Sequence, residues 1–127
     1  MRLRNLASVL LATFLVAIPV IDADASVRPP ARILVYAQEW SFWASRVSLP
    51  AGRVIVQLWN RGQDAHDLKL KRLNGHGRMT GLAHGLGVTQ SGVVGEGSWR
   101  LAAGRYELYC SIPGHLRRGM HIKLLVR

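Results

Sequence analysis

Short runs in which every second residue is apolar, each cut off by Gly, Pro or Asn, most limit what this chain can fold into. From Arg53 to Trp59, Val54, Val56 and Leu58 face one way and Gln57 the other. From His66 to Leu73, Leu68 and Leu70 alternate with Lys69 and Lys71. Successive side chains of a strand point to opposite faces, so each run reads as a strand with one buried side. Further strands are expected at Ile33–Tyr36, Glu39–Ser48, Trp99–Leu101, Tyr106–Cys110 and Ile122–Val126. Pro29 and Pro30 suit an extended lead-in, and Pro50-Ala51-Gly52, Asn60-Arg61-Gly62 and Ala103-Gly104 break the runs. No run carries a helical period. Residues 74–97 hold eight of the 13 glycines and read as a long, flexible connection with at most a brief strand at Val93-Val94. The expected fold is an all-β sandwich of about seven to eight strands.

The chain has 127 residues, which allows one such domain, and 49% of them are hydrophobic, too many for a disordered chain. The first residues stand apart. Arg2 and Arg4 precede an uncharged, mostly apolar run from Leu6 to Ile21, and Ala23-Asp24-Ala25 offers a small-residue cleavage site before Ser26. This is the pattern of a secretory signal peptide. A membrane anchor fits worse, because the run is shorter than about 20 residues and Pro19 interrupts it. The expected division is a signal peptide over residues 1–25 and one domain over 26–127. Removing the leader takes two Arg and two Asp with it, so the formal charge stays at +10. The domain is therefore expected to be soluble, strongly basic and exported, periplasmic or extracellular.

A lone cysteine in an exported chain pairs between molecules, reacts or binds metal. Here it opens Cys110-Ser111-Ile112-Pro113-Gly114-His115-Leu116-Arg117-Arg118-Gly119-Met120, a C-x4-H-x4-M spacing bent by a Pro-Gly turn. A short loop between neighbouring strands can bring those three side chains to one point. Thiolate, imidazole and thioether form the soft donor set that favours copper. His66, after the break that ends the Arg53–Trp59 run, supplies a second imidazole. Taken singly, Met120 reads as core, His66 as a strand-edge histidine and Cys110 as a small hydrophobe. Their joint spacing is what points to metal.

With His66 upstream and Tyr106-Glu107-Leu108-Tyr109-Cys110 running into that loop, the sequence resembles the cupredoxin family, the small blue copper proteins. The resemblance implies a Greek-key β-sandwich with one mononuclear type 1 copper near one end. It implies His66, Cys110 and His115 as equatorial ligands and Met120 as a weak axial one. Asp67 stands where the family often has Asn. An ionised Asp only accepts hydrogen bonds, so the link between the ligand loops is expected to differ, and the negative charge to favour oxidised copper. The loop offers no second Cys for a binuclear site. His76 and His84 in the Gly-rich stretch are expected to be solvated, and His121 to point away from Met120.

The leading function is the shuttling of single electrons between redox partners, with no substrate and no bond chemistry, hence no enzyme. The electron would pass at the ring edge of His115 on the loop surface. Ile112, Pro113 and Leu116 would surround it as an apolar docking patch with Arg117 and Arg118 beside it. The charge argues for a transient, acidic redox partner, or for attraction to an anionic membrane surface. Nucleic acid is not expected, since the basic residues are scattered. The alternative is a copper carrier or buffer using the same ligands, weakened by the scarcity of further Met. A Cys–His nucleophile lacks an orienting third group.

Overall fold

Two sheets share one apolar interior. The computed structural model describes residues 28–127, so the leader read over residues 1–25 lies outside the described residues. The strands are β1 (Ala31–Gln38), β2 (Ser41–Ala44), β3 (Ser48–Leu49), β4 (Gly52–Asn60), β5 (His66–Leu73), β6 (Met79–Thr89), β7 (Val94–Leu101), β8 (Gly104–Tyr109) and β9 (His121–Val126). One sheet runs β2-β1-β4-β7 and the other β3-β9-β8-β5-β6. β1 and β4 are parallel, whereas β8 pairs antiparallel with both β5 and β9.

The alternation read from the sequence is the alternation of burial. Ile33, Val35 and Ala37 of β1 and Val54, Val56 and Leu58 of β4 turn inward. They meet Leu68, Leu70, Leu108 and Leu124 from the facing sheet. At the corner before β8 the Tyr106 hydroxyl donates to the Ala102 carbonyl at 2.8 Å, which keeps a buried phenol satisfied.

The nine strands of the described residues exceed the seven to eight expected, for two reasons. The run over Glu39–Ser48 is not one strand. The chain reverses after Gln38, and β2 returns antiparallel along β1 with Gln38 opposite Ser41. It then changes sheets, so that β3 pairs with β9. The reversal only opens the run; the break within it lies at residues 45–47, where the chain crosses from one sheet to the other.

The Gly-rich stretch is the second correction. Most of it is β6 and β7 rather than a flexible loop. β6 is an edge strand on which only Leu86 and Thr89 are buried, so no apolar alternation marks it. Backbone pairing to β5, with two register shifts, holds it. Two glycines, Gly85 of β6 and Gly97 of β7, serve close approach. A Cβ on Gly85 would lie 2.7 Å from the Leu68 carbonyl oxygen, and one on Gly97 would lie 2.9 Å from the Leu86 side chain. No helix among the described residues is long and apolar enough to cross a membrane.

Candidate metal centre

The connection from β4 to β5 sets His66 in place. Asn60, wholly buried, donates from Nδ2 to the carbonyls of Asp64 (2.7 Å) and Thr89 (2.8 Å). Its Oδ1 accepts from the Gly62 N–H at 2.9 Å. Gly62 lies so close to Glu39 that a Cβ there would come 2.2 Å from Oε1. The same Oε1 accepts from the Asp64 N–H at 2.8 Å and lies 3.1 Å from Nε2 of His66. The Asp64 N–H chiefly, with help from His66, holds the Glu39 carboxyl below its usual range. An ionised carboxylate at Nε2 keeps the proton there and leaves the lone pair on Nδ1.

The loop from β8 to β9 supplies the other donors. Its ends are tied together, because the Cys110 N–H donates to the Met120 carbonyl (3.1 Å) and the Met120 N–H to the His115 carbonyl (3.2 Å). Gly114 (φ 88°) and Gly119 (φ 109°) take left-handed conformations that a side chain would strain. They bend the loop around the short 3-10 turn Leu116–Arg118.

These constraints bring His66, Cys110 and His115 to one point, with their donor atoms all within 4.8 Å of one another. Nδ1 of His66 is 3.3 Å from Nδ1 of His115, and Cys110 Sγ is 3.4 Å from that same nitrogen. His66, Cys110 and Met120 are fully buried, and His115 is 8% exposed. Burial pushes the Cys110 thiol up and the His115 imidazole down, so both side chains are held neutral. A metal cation would supply the charge that the thiolate needs. Two imidazoles, a thiol and a buried thioether tied by its backbone to Cys110 and His115 are a donor set that fits copper.

Asp67 links the two ligand segments. Its Oδ1 accepts from the Ser111 N–H at 2.6 Å and its Oδ2 from the Ser111 hydroxyl. Both bonds need only an acceptor, which is why Asp serves at this position. The negative charge is shared with Lys69, whose Nζ lies 3.7 Å away.

The loop surface differs from expectation at His115. Little of its ring reaches solvent, because Trp40 packs edge-on against it at 4.7 Å, and Arg118 lies 4.2 Å over the Trp40 ring. Ile112 packs partly buried against the core and Leu116 is half-buried, while Pro113 and Arg117 are exposed. Glu39 and Trp40 escaped the reading of the sequence. The one available signal was scarcity, since Glu39 is one of five carboxylate residues in 28–127. His121 points away from the site as expected, and its Nδ1 meets Glu107 at 2.6 Å. His76 and His84 are exposed. Among the described residues no group of three His, Cys, Asp or Glu other than His66, Cys110 and His115 is placed to hold a metal.

Strand order and the position of this cluster define the cupredoxin fold. No protein-family model matches the sequence, and no curated protein does. Among solved structures the chain is similar to auracyanin B, at 22% identity over 77% of this chain and 90% of that one, with a TM-score of 0.61. It is similar to rusticyanin from Thiobacillus ferrooxidans at 20% identity, over 76% of each chain, with a TM-score of 0.62. It is also similar to auracyanin A, a "blue" copper protein from Chloroflexus aurantiacus, at 18% identity over 77% of this chain and 99% of that one, with a TM-score of 0.61.

Proposed function

We propose that this chain holds one copper ion through His66, Cys110, His115 and Met120 and passes single electrons between redox partners. One observation carries the reading. Two imidazole nitrogens and a thiol sulfur, all buried, converge within 4.8 Å at one end of a cupredoxin fold. When bound, copper supplies a one-electron couple between its cuprous and cupric states. The chain's own part is to orient the donors, exclude water and resist rearrangement. Glu39 and Asn60 hold the His66 segment, and the backbone bonds among Cys110, His115 and Met120 hold the other. A site stiffened in this way favours neither oxidation state by movement, which suits electron transfer. Burial of the donors also works against the ready exchange that a carrier needs.

We place docking on the loop around His115. Pro113 and the half-buried Ile112 and Leu116 offer an apolar centre, with Arg117 and Arg118 at its edge. Trp40, lying between Arg118 and His115, forms part of the contact. The partner that fits is an acidic redox protein, approached under electrostatic steering and held briefly. The leader pattern over residues 1–25 extends the proposal to a compartment outside the cytosol.

Copper reconstitution followed by visible and EPR spectra tests the reading. The expected result is one copper per chain, an intense visible thiolate band and its loss in Cys110→Ser with the β fold retained. A Cys110→Ser protein that keeps the band would overturn it.

A further inference from the structure

On the outer face of the four-stranded sheet, strand register lines up side chains that a solvent-facing surface does not ordinarily carry. Trp43 of β2 lies opposite Tyr36 of β1, Tyr36 opposite Trp59 of β4, and Trp59 opposite Val94 of β7. The ring centroids are 5.2 Å apart for Tyr36–Trp43 and 5.6 Å for Tyr36–Trp59. Trp43 is 63% exposed, Val94 51% and Trp59 36%. The Arg61 guanidinium sits 5.1 Å from the Trp59 ring and 5.9 Å from that of Tyr36. The result is an aromatic row about 14 Å across, set by the spacing of four strands, with a cation resting on it. None of its members belongs to the metal centre.

We propose that this row docks the protein on an anionic lipid surface. Trp and Tyr favour the headgroup region of a bilayer, where an amphipathic ring keeps one edge wet. The exposed Arg61 guanidinium, resting on the rings, brings a charge for lipid phosphate to the level of the aromatic row. The charge of the whole domain supports this occupant. Residues 28–127 carry 15 Lys and Arg against five Asp and Glu. Four of those carboxylates are already engaged: Glu39 with His66, Asp67 with Ser111, Glu96 with Gln57 and Glu107 with His121. The cations are spread over both sheets and the site loop. An extended anionic plane responds to that total, whereas an acidic protein patch selects a local cluster.

Other occupants fit less well. The rings are tilted by 41° and 43° to their neighbours, so they make no flat platform for sugars or bases. A second copy would bring two strongly basic bodies together. The row exposes only a few residues, short of the roughly 800 Å² that each side of a stable protein complex covers.

The test uses the full chain with two vesicle types, pure phosphatidylcholine and a phosphatidylcholine–phosphatidylglycerol mixture, each containing brominated acyl chains. All four Trp lie within the described residues, so quenching of their fluorescence reports this domain and not residues 1–27. The expected result is quenching by the mixed vesicles at low salt and much less by the neutral ones. Trp43→Ser with Arg61→Gln should need roughly tenfold more lipid for half-quenching. Trp43 is exposed enough that Trp43→Ser alone, which should give an intermediate shift, serves if the double variant is unstable. Equal quenching of wild type and variants would show attraction by charge alone and overturn the proposal. So would a wild type that ignores both vesicles, including one that self-associates through this face in sedimentation velocity.

Discussion

Oε1 of Glu39 lies 3.1 Å from Nε2 of His66, across 27 positions of sequence, and the same oxygen accepts the Asp64 N–H. The carboxylate fixes the tautomer of one donor and the path of the segment that carries it. Glu39→Ala should therefore weaken copper binding by about 10–100-fold, the range typical for groups that orient a ligating histidine. Glu39→Gln keeps an acceptor and should lose less. Competition with a calibrated chelator reads both values, and an unchanged affinity in Glu39→Ala would remove the carboxylate from this role.

Asp67 bridges the segment of His66 to that of Cys110 through two bonds to Ser111. Asp67→Ala removes two hydrogen bonds from a buried carboxylate to the exposed Ser111 and should cost on the order of 1–3 kcal/mol in denaturant unfolding. Asp67→Asn retains an acceptor for the N–H and a donor for the hydroxyl, so it should cost less. It also removes a negative charge beside the site, and the reduction potential should rise. A potential that fell in Asp67→Asn would contradict the assigned charge effect.

Met120 is fully buried at the end of the site loop. Met120→Leu nearly conserves its volume, so stability should change by less than about 1.5 kcal/mol. Copper should be retained, because a thioether is a weak donor, and the potential should rise as an electron-rich neighbour is lost. Voltammetry returning an unchanged or lower potential would count against Met120 as a ligand.

Arg117 and Arg118 are neighbours with different surroundings. Arg117 is exposed, whereas Arg118 covers the ring of Trp40, which in turn packs on His115. Replacing both with Glu should slow electron transfer to an acidic partner at low salt. The deficit should shrink toward about 0.5 M salt, where screening shortens to a few Å. Arg117→Glu alone should leave the visible spectrum untouched. Arg118→Glu should also shift Trp fluorescence, since it uncovers the indole. Identical stopped-flow rates for wild type and double variant at low salt would move docking to another surface.

Strand positions such as Arg53–Trp59 and His66–Leu73 were legible because alternation between two faces is a local property of the chain. So was the donor loop, since Cys110, His115 and Met120 lie within one turn-bent segment whose composition shows its chemistry. Two kinds of feature were not. β6 is exposed along nearly its whole length, and a strand with no buried side leaves no pattern; only pairing with β5 forms it. The second kind depends on segments far apart in the chain. Glu39 against His66, Trp40 against His115 and the row Trp43–Tyr36–Trp59 each join residues of separate elements. Side-chain spacing along the chain encodes which face a residue occupies. Which residue stands opposite is decided by strand register and by the crossing of the chain between sheets.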